Sequence, residues 1–263
     1  VAYRYRQVTT ASTTHDLRTA YAHVLSCAET LIVFIGSLAL SLAEGGPLYQ
    51  AITSNLKDQI ARTGFSLGLG SWWSVLRNLT TQSVPSGSLL EQVASFASSD
   101  QVTAAYARLA ERRNDEAHQR QVEAHELGSA IKASTADLEA LLAGSQFLVD
   151  SPLMHVTNTR VDARRQTYTL EYRELRGDNS VVPSVRMETD QGPIETDSLY
   201  LHGSDGRLVL LRPYLIVATC PRCHAQSLFH LDRGHAQEVL LKSLEHGHVM
   251  PSPDSQLILQ LLS

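Results

Sequence analysis

The helical part of the fold is decided by the stretch "DLRTAYAHVLSCAETLIVFIGSLALSLAEGG", residues 16 to 46. The polar residues "STTHD" lie at its start and a Gly–Gly pair closes it, which are typical signals for the two ends of a helix. Its most apolar run, residues 31 to 43, is well short of the roughly 20 residues that span a bilayer. We therefore expect a buried helix inside a packed domain, and no membrane partner.

Further helices are predicted along the first part of the chain. Their ranges are 47 to 64, 71 to 82, 87 to 99, 100 to 128 and 135 to 149. Asp100 suits the N-cap of the longest one, because its carboxylate can accept hydrogen bonds from the first helical N–H groups. Short connections between such helices favour an antiparallel bundle. The sequence thus predicts a helical domain over residues 1 to 150.

The pattern changes after residue 152. The segment "RQTYTLEYREL", residues 165 to 175, alternates and is rich in Thr and Tyr, as is typical of a half-buried strand. More strands are expected within 198 to 220, on both sides of a "GSDG" turn, and over 224 to 233, whereas 235 to 248 resembles a short amphipathic helix. The predicted fold class is α+β, with an N-terminal antiparallel helical bundle followed by a small β-rich domain, residues 151 to 263.

Composition limits the classes of function. With 43% hydrophobic residues the chain can bury a core, and its net charge of -5 argues against a protein that coats nucleic acid through bulk positive charge. Three cysteines do not make a disulfide framework, and this usage suits a reducing cytoplasm. The first ten residues, "VAYRYRQVTT", contain no apolar signal core. We expect a cytoplasmic protein.

The octet "ERRNDEAH", residues 111 to 118, places two arginines, an asparagine and a histidine within a few positions of a predicted helix. Asn114 and His118 are four residues apart and share one helix face. A solvated charged face would have the same composition, with ion pairs that contribute a few tenths of a kcal/mol each. The octet therefore fits either a functional site or a solvated outer face of a helix.

Arg113 and Asn114, followed by His118, resemble the Arg-x4-6-His signature of HEPN domains. These domains are small helical bundles, usually dimeric, and many are metal-independent ribonucleases. The resemblance covers residues 15 to 150 and implies that Arg113 stabilises the phosphate, that His118 is the acid or base and that Asn114 assists. It also implies that Arg112 and Arg120 help to bind RNA.

The chemistry suits these residue types. RNA supplies its own nucleophile, the 2′-hydroxyl, so a nuclease needs a proton acceptor and a cation near the phosphate. Histidine titrates near neutral pH, and arginine stays charged and meets phosphate oxygens with a planar fork. The spacing alone is unspecific, because Arg18 with His23 and Arg120 with His125 also match it.

The segment "TCPRCH" resembles one half of a zinc knuckle, with Cys220 and Cys223 as ligands. A structural zinc ion needs four ligands, and the chain has no second CxxC motif. His246 and His248 lie downstream as further candidate ligands. The alternative is a tight turn that carries two reduced cysteines.

Two functions follow from the sequence as hypotheses. The first is a bacterial endoribonuclease of the toxin or antiphage-defence type, acting on RNA such as tRNA without a catalytic metal, with a composite active site across a homodimer. The second is a non-catalytic HEPN-like module that dimerises or binds a nucleotide, and whose β domain binds a partner or senses a trigger. In either case a fused or separate sensor is a candidate partner.

Overall fold

The computed structural model describes residues 1–14, 16–60, 65–118, 120–177, 182–235 and 238–262. The helices are α1 (Ala2–Thr13), α2 (Leu17–Ala43), α3 (Pro47–Ile60), α4 (Leu69–Leu79), α5 (Leu89–Ser98), α6 (Asp100–Ala117), α7 (Leu127–Gly144) and α8 (Ser255–Leu261). A short 3-10 helix, Gln146–Leu148, follows α7. All of them except α8 precede residue 151, so the helical first half is confirmed.

The strands are β1 (Phe65–Ser66), β2 (Leu153–Asp162), β3 (Thr167–Glu174), β4 (Ser184–Thr189), β5 (Ser198–His202), β6 (Leu208–Leu210), β7 (Leu215–Thr219), β8 (Gln226–His235), β9 (Glu238–Ser243) and β10 (Val249–Pro251). They form two antiparallel sheets. The first has the order β4-β3-β2-β5-β6. The second has the order β1-β8-β9-β10, with β7 also paired to β8. The predicted α+β class is therefore confirmed.

Helix α2 lies at the centre of the helices and packs against α1, α4 and α7. The Asp16 carboxylate accepts a hydrogen bond from the backbone N–H of Thr19, which caps the helix start. Among the described helices α2 is the one with the length and apolarity to cross a membrane, but 78% of its most apolar window is buried inside the structure. An apolar helix that is covered on most sides by protein fits the buried helix predicted from the sequence.

One apolar core joins the helices to the sheets. It includes Ile32 of α2 and also Leu201 and Leu231 from the two sheets. Within it the Tyr214 hydroxyl donates to the Tyr49 hydroxyl at 2.7 Å. The strand β1, from the helical half, pairs with β8. The chain changes from helices to strands near residue 151, and the division into two domains there stays a prediction.

The predicted helix over residues 100 to 128 is wrong in length. Helix α6 ends at Ala117, and Ser99 rather than Asp100 caps its start, accepting from the N–H of Val102. The buried series of α6 stops at Leu109, and from 118 to 126 Val122 is the only large apolar residue. A longer helix would therefore have no apolar face to bury, and α7 begins separately at 127.

The predicted helix over residues 235 to 248 is also wrong, because that segment contains the strand β9. Its buried residues are Val239, Leu241 and Ser243, which is the period of two that a half-buried strand requires. Pairing with β8 and β10 on its two sides satisfies its backbone. The elements that were not predicted are helices α1 and α8 and strands β1, β2, β4 and β10. The end of the predicted helix 47 to 64 lies outside the described residues.

Candidate functional site

Arg113 lies near the end of α6 and points toward α2. Its Nε donates to Glu29 Oε2 at 3.2 Å, and the two side chains are 39% and 24% exposed. Lys242 of β9 lies 4.0 Å from the other oxygen of the same carboxylate. Arg113 is thus paired inside the chain with a carboxylate that also contacts the β part.

Arg112 is paired as well, with Asp137 of α7. One of its terminal nitrogens donates to Asp137 Oδ2 at 2.5 Å, and Arg108 donates to the other oxygen through Nε at 2.9 Å. Burial by itself would raise the pKa of Asp137, but the hydrogen bonds from the two arginines outweigh it and the pKa lies below its usual value. This cluster joins α6 to α7, so Arg112 has a structural role in the bundle.

Asn114 and His118 are exposed. His118 directly follows the last residue of α6, and its backbone N–H donates to the Asn114 carbonyl at 3.0 Å. Arg120 lies beyond the helix and forms an exposed ion pair with Asp115 at 3.0 Å. The structure therefore places the candidate histidine and asparagine on an open surface, while the neighbouring arginines are held by carboxylates of the same chain.

The two cysteines of the CxxC motif lie in the turn after β7, and His248 lies just before β10. The candidate ligand atoms of Cys220, Cys223 and His248 are all within 4.8 Å of one another. Cys220 Sγ is 3.3 Å from His248 Nδ1 and also accepts from the backbone N–H of Arg222 at 3.4 Å. A residue with positive φ, His224 at +57°, turns the chain back toward β8. This cluster could hold a metal ion.

The local environment favours the thiolate form of Cys220. Burial acts to raise the pKa of the thiol, but the backbone N–H groups of Cys223 and Arg222 and the side chains of Cys223 and His248 lower it to about 7. Because the thiolate is the form that binds metals, a lowered pKa of Cys220 favours binding of a metal cation at this turn. His246 is not part of the cluster, although its ring centroid lies 5.9 Å from that of His248.

A cavity of about 1100 Å³ lies where α1 and α2 meet the two sheets. Its lining is largely apolar and includes Leu31, Phe34, Leu153, Leu201, Val217 and Leu228. The lining also contains Ser151, His155 and Ser227, which are at most 4% exposed. The buried polar atoms Ser151 Oγ, His155 Nε2 and Ser227 Oγ have no hydrogen-bond partner in the described part of the chain.

Of the cavity residues, His246 was singled out from the sequence, as a candidate zinc ligand, whereas Ser151, His155 and Ser227 were not. One available signal was the alternation of side-chain direction along β2. Leu153 and His155 face the main core, while Met154 and Val156 face a separate, smaller apolar cluster on the other side of the sheet. That signal places His155 on the inner face of a strand, but it does not reveal the cavity in front of it.

Comparison of the chain with family models, with curated proteins and with solved structures gives no match. The HEPN resemblance therefore stays a prediction from the sequence.

Proposed function

We propose that the protein is a non-catalytic binding module rather than a ribonuclease. The observation that carries this proposal is the pairing of Arg113 with Glu29 and of Arg112 with Asp137. A nuclease site needs cations available to a phosphate, and breaking these pairs would expose carboxylates at the same place. The proposal includes a HEPN-like helical bundle that assembles as a homodimer.

The experiment is an RNA cleavage assay. The purified protein is incubated with total RNA and with tRNA, with and without EDTA, beside a His118→Ala variant of equal folding and oligomeric state. A His125→Ala variant serves as the matched control, because His125 is also exposed. We expect no cleavage by any of the three proteins. Cleavage by the parent and the control that is lost in His118→Ala would overturn the proposal and establish a ribonuclease.

We also propose that Cys220, Cys223 and His248 hold a structural zinc ion. Two thiolates and one imidazole are ligands that zinc prefers, and the cluster would fix the turn after β7 to the segment before β10. The ion would thus order one end of the strands of the second sheet, where β7 stops and β10 starts, and a fourth ligand would complete a tetrahedral site. It would take no part in chemistry.

Metal content tests the zinc proposal. After expression with added zinc we expect about one zinc ion per chain by mass spectrometry of the metal, in line with a single structural site. Cys223→Ser and His248→Gln should lose it, whereas the neighbouring His246→Gln should retain it. A parent protein without zinc, or one whose zinc content is unchanged in Cys223→Ser, would contradict the assignment.

A further inference from the structure

We propose that the cavity between α1, α2 and the two sheets binds a small amphipathic anion, with its apolar body inside and its anionic group beside His155 and Arg173. The inference rests on the proposed binding function and names its ligand class. It is carried by three independent features of the cavity, which are its size and lining, its unpartnered polar atoms and its charge.

The size and lining indicate a small-molecule site. Ligand cavities are about 300–1,000 Å³, largely apolar, with a few polar groups that orient the ligand. A cavity of about 1100 Å³ is slightly larger than this range. It has walls from Leu31 and Phe34 of α2, and from Leu201 and Leu228 of the two sheets. Such walls have room for an apolar chain or ring system.

The unpartnered polar atoms indicate where a ligand would make hydrogen bonds. Most buried polar side-chain atoms in proteins have a partner. Here Ser151 Oγ, His155 Nε2 and Ser227 Oγ have none among the described residues, and all three side chains line this cavity. Among the described residues the carboxylate recorded beside His155 is that of Asp197, and its Oδ1 is 3.9 Å from Nε2, beyond hydrogen-bond distance. These atoms are covered in the described structure, so a ligand oxygen would pair with them once the side chains rotate toward the cavity.

The charge of the lining selects the anion. Among the described residues the lining includes four arginines, Arg4, Arg6, Arg173 and Arg176, and one carboxylate, that of Glu245. Arg176 is also ion-paired with Glu174. Four positive charges minus these two negative charges leave +2. The whole chain by contrast carries -5. The Glu245 carboxylate accepts hydrogen bonds from the backbone N–H of Leu228 and from the Ser243 hydroxyl. These bonds hold its oxygens against the protein.

Arg173 and His155 form the expected anion position. They are direct cross-strand partners in the β2–β3 register, so their side chains leave the same face of the sheet side by side. Arg173 is exposed, and no carboxylate pairs with it in the part of the chain that the structure describes. A guanidinium and a hydrogen-bonding imidazole together suit a carboxylate or phosphate group.

Calorimetric titration with a set of probes that differ only in head group tests this inference. The probes are dodecanoate, dodecyl phosphate, dodecanol and dodecyltrimethylammonium, each below its micelle concentration. We expect one molecule of either anion per chain, and at least tenfold weaker binding of the neutral and cationic probes, the factor typical of losing a charge-assisted hydrogen bond. No binding of either anion, or equal binding of dodecanol, would overturn the inference.

Variants locate the site. Arg173→Gln should weaken binding of the anions about tenfold, and Leu148→Trp should weaken it by filling the cavity. Arg160→Gln is the matched control, since Arg160 is an exposed arginine of β2 outside the lining. Equal loss in Arg160→Gln would overturn the assignment to this cavity.

The test of the cavity is independent of the RNA cleavage assay. Absence of anion binding refutes the cavity inference alone, whereas His118-dependent cleavage refutes the non-catalytic proposal alone.

Discussion

The carboxylate of Asp137 joins α7 to α6 through two arginines. Its side chain is 7% exposed and accepts from both Arg108 and Arg112. A buried carboxylate is costly unless it is paired, and here two guanidinium groups supply the pairing. The "RR" of the octet that suggested a phosphate site therefore contributes one arginine to the α6–α7 contact and the other to Glu29 of α2.

Asp137→Ala should destabilise the protein by about 1–3 kcal/mol, because two arginines lose a charge-assisted partner. Urea unfolding followed by circular dichroism measures the free energy of unfolding. Asp150→Ala, at an exposed acidic residue, is the control and should change it by less than about 0.5 kcal/mol. An equal change in both variants would show that the Asp137 cluster adds no specific stability.

His230 makes stability depend on pH. Burial lowers the pKa of His230 to about 4, against a usual value of 6.5, with smaller opposing contributions from the Leu231 carbonyl and Asp232. The folded state thus binds fewer protons than the unfolded state between these values, so stability should fall as pH drops from 6.5 to about 4. The loss should reach up to about 3 kcal/mol.

His230→Phe keeps a ring of similar shape beside Trp72, whose centroid is 6.1 Å from that of His230, and removes the titration. The difference in unfolding free energy between parent and variant should therefore change across pH 4 to 6.5. Exposed His125→Gln is the control and should follow the parent. A constant difference between parent and His230→Phe would show that His230 is not held neutral by burial.

At the scale of elements, the contact between α2 and α4 depends on a glycine. Gly36 of α2 faces Trp72 of α4, and a Cβ at Gly36 would lie 2.7 Å from Trp72 Cε3. Trp72 is 1% exposed and cannot move without disturbing its neighbours. Glycine therefore sets the distance between the two helices, although it interrupts an otherwise apolar run.

Gly36→Ala should destabilise the protein by about 1–3 kcal/mol through overpacking. Gly128→Ala in α7 is the matched control, because a Cβ there would meet nothing within 4 Å. It should be neutral or slightly stabilising, since alanine is the better helix former. Thermal and urea unfolding of both variants test this pair, and a stable Gly36→Ala would mean that Trp72 can shift.

At the scale of the whole molecule, the helices and the sheets are held by shared contacts. Besides the common core, Glu29 of α2 lies between Arg113 of α6 and Lys242 of β9. Arg4 of α1 also donates through Nε to the Leu244 carbonyl at 3.0 Å. Helices that lost the sheets would expose a large apolar surface, so we expect the two halves to unfold together.

Urea unfolding followed by two probes measures this cooperativity. Tryptophan fluorescence of a Trp72→Phe variant reports on the helical half, because the remaining Trp73 of α4 stacks on Tyr106 of α6 at 3.9 Å between ring centroids. Hydrogen exchange by mass spectrometry reports on β2 and β3 in the same samples. Coincident transitions are expected, whereas separate midpoints would establish two independently folding domains divided near residue 151.

The sequence by itself determined the features that depend on neighbouring residues. The burial of α2, the strand at 167 to 174 and the change from helices to strands near 151 all follow from periodicity and end signals within a few positions. The same local information gave a wrong prediction for β9, whose residues fit both the helical and the strand period. It also gave too long a helix for α6, which ends where its series of buried apolar residues ends. It also identified the cysteine pair of the cluster that could hold a metal ion, since both cysteines lie in one turn.

Only the tertiary structure decided which distant side chains meet. Arg113 and Glu29 are 84 residues apart, and Cys220 and His248 are 28 apart. No local pattern specifies such partners, because they depend on the path of the whole chain. Local patterns also do not specify the cavity beside His155, which exists only where both sheets meet α1 and α2. The physical reason is that periodicity fixes the face on which a side chain lies, whereas packing fixes what that face contacts.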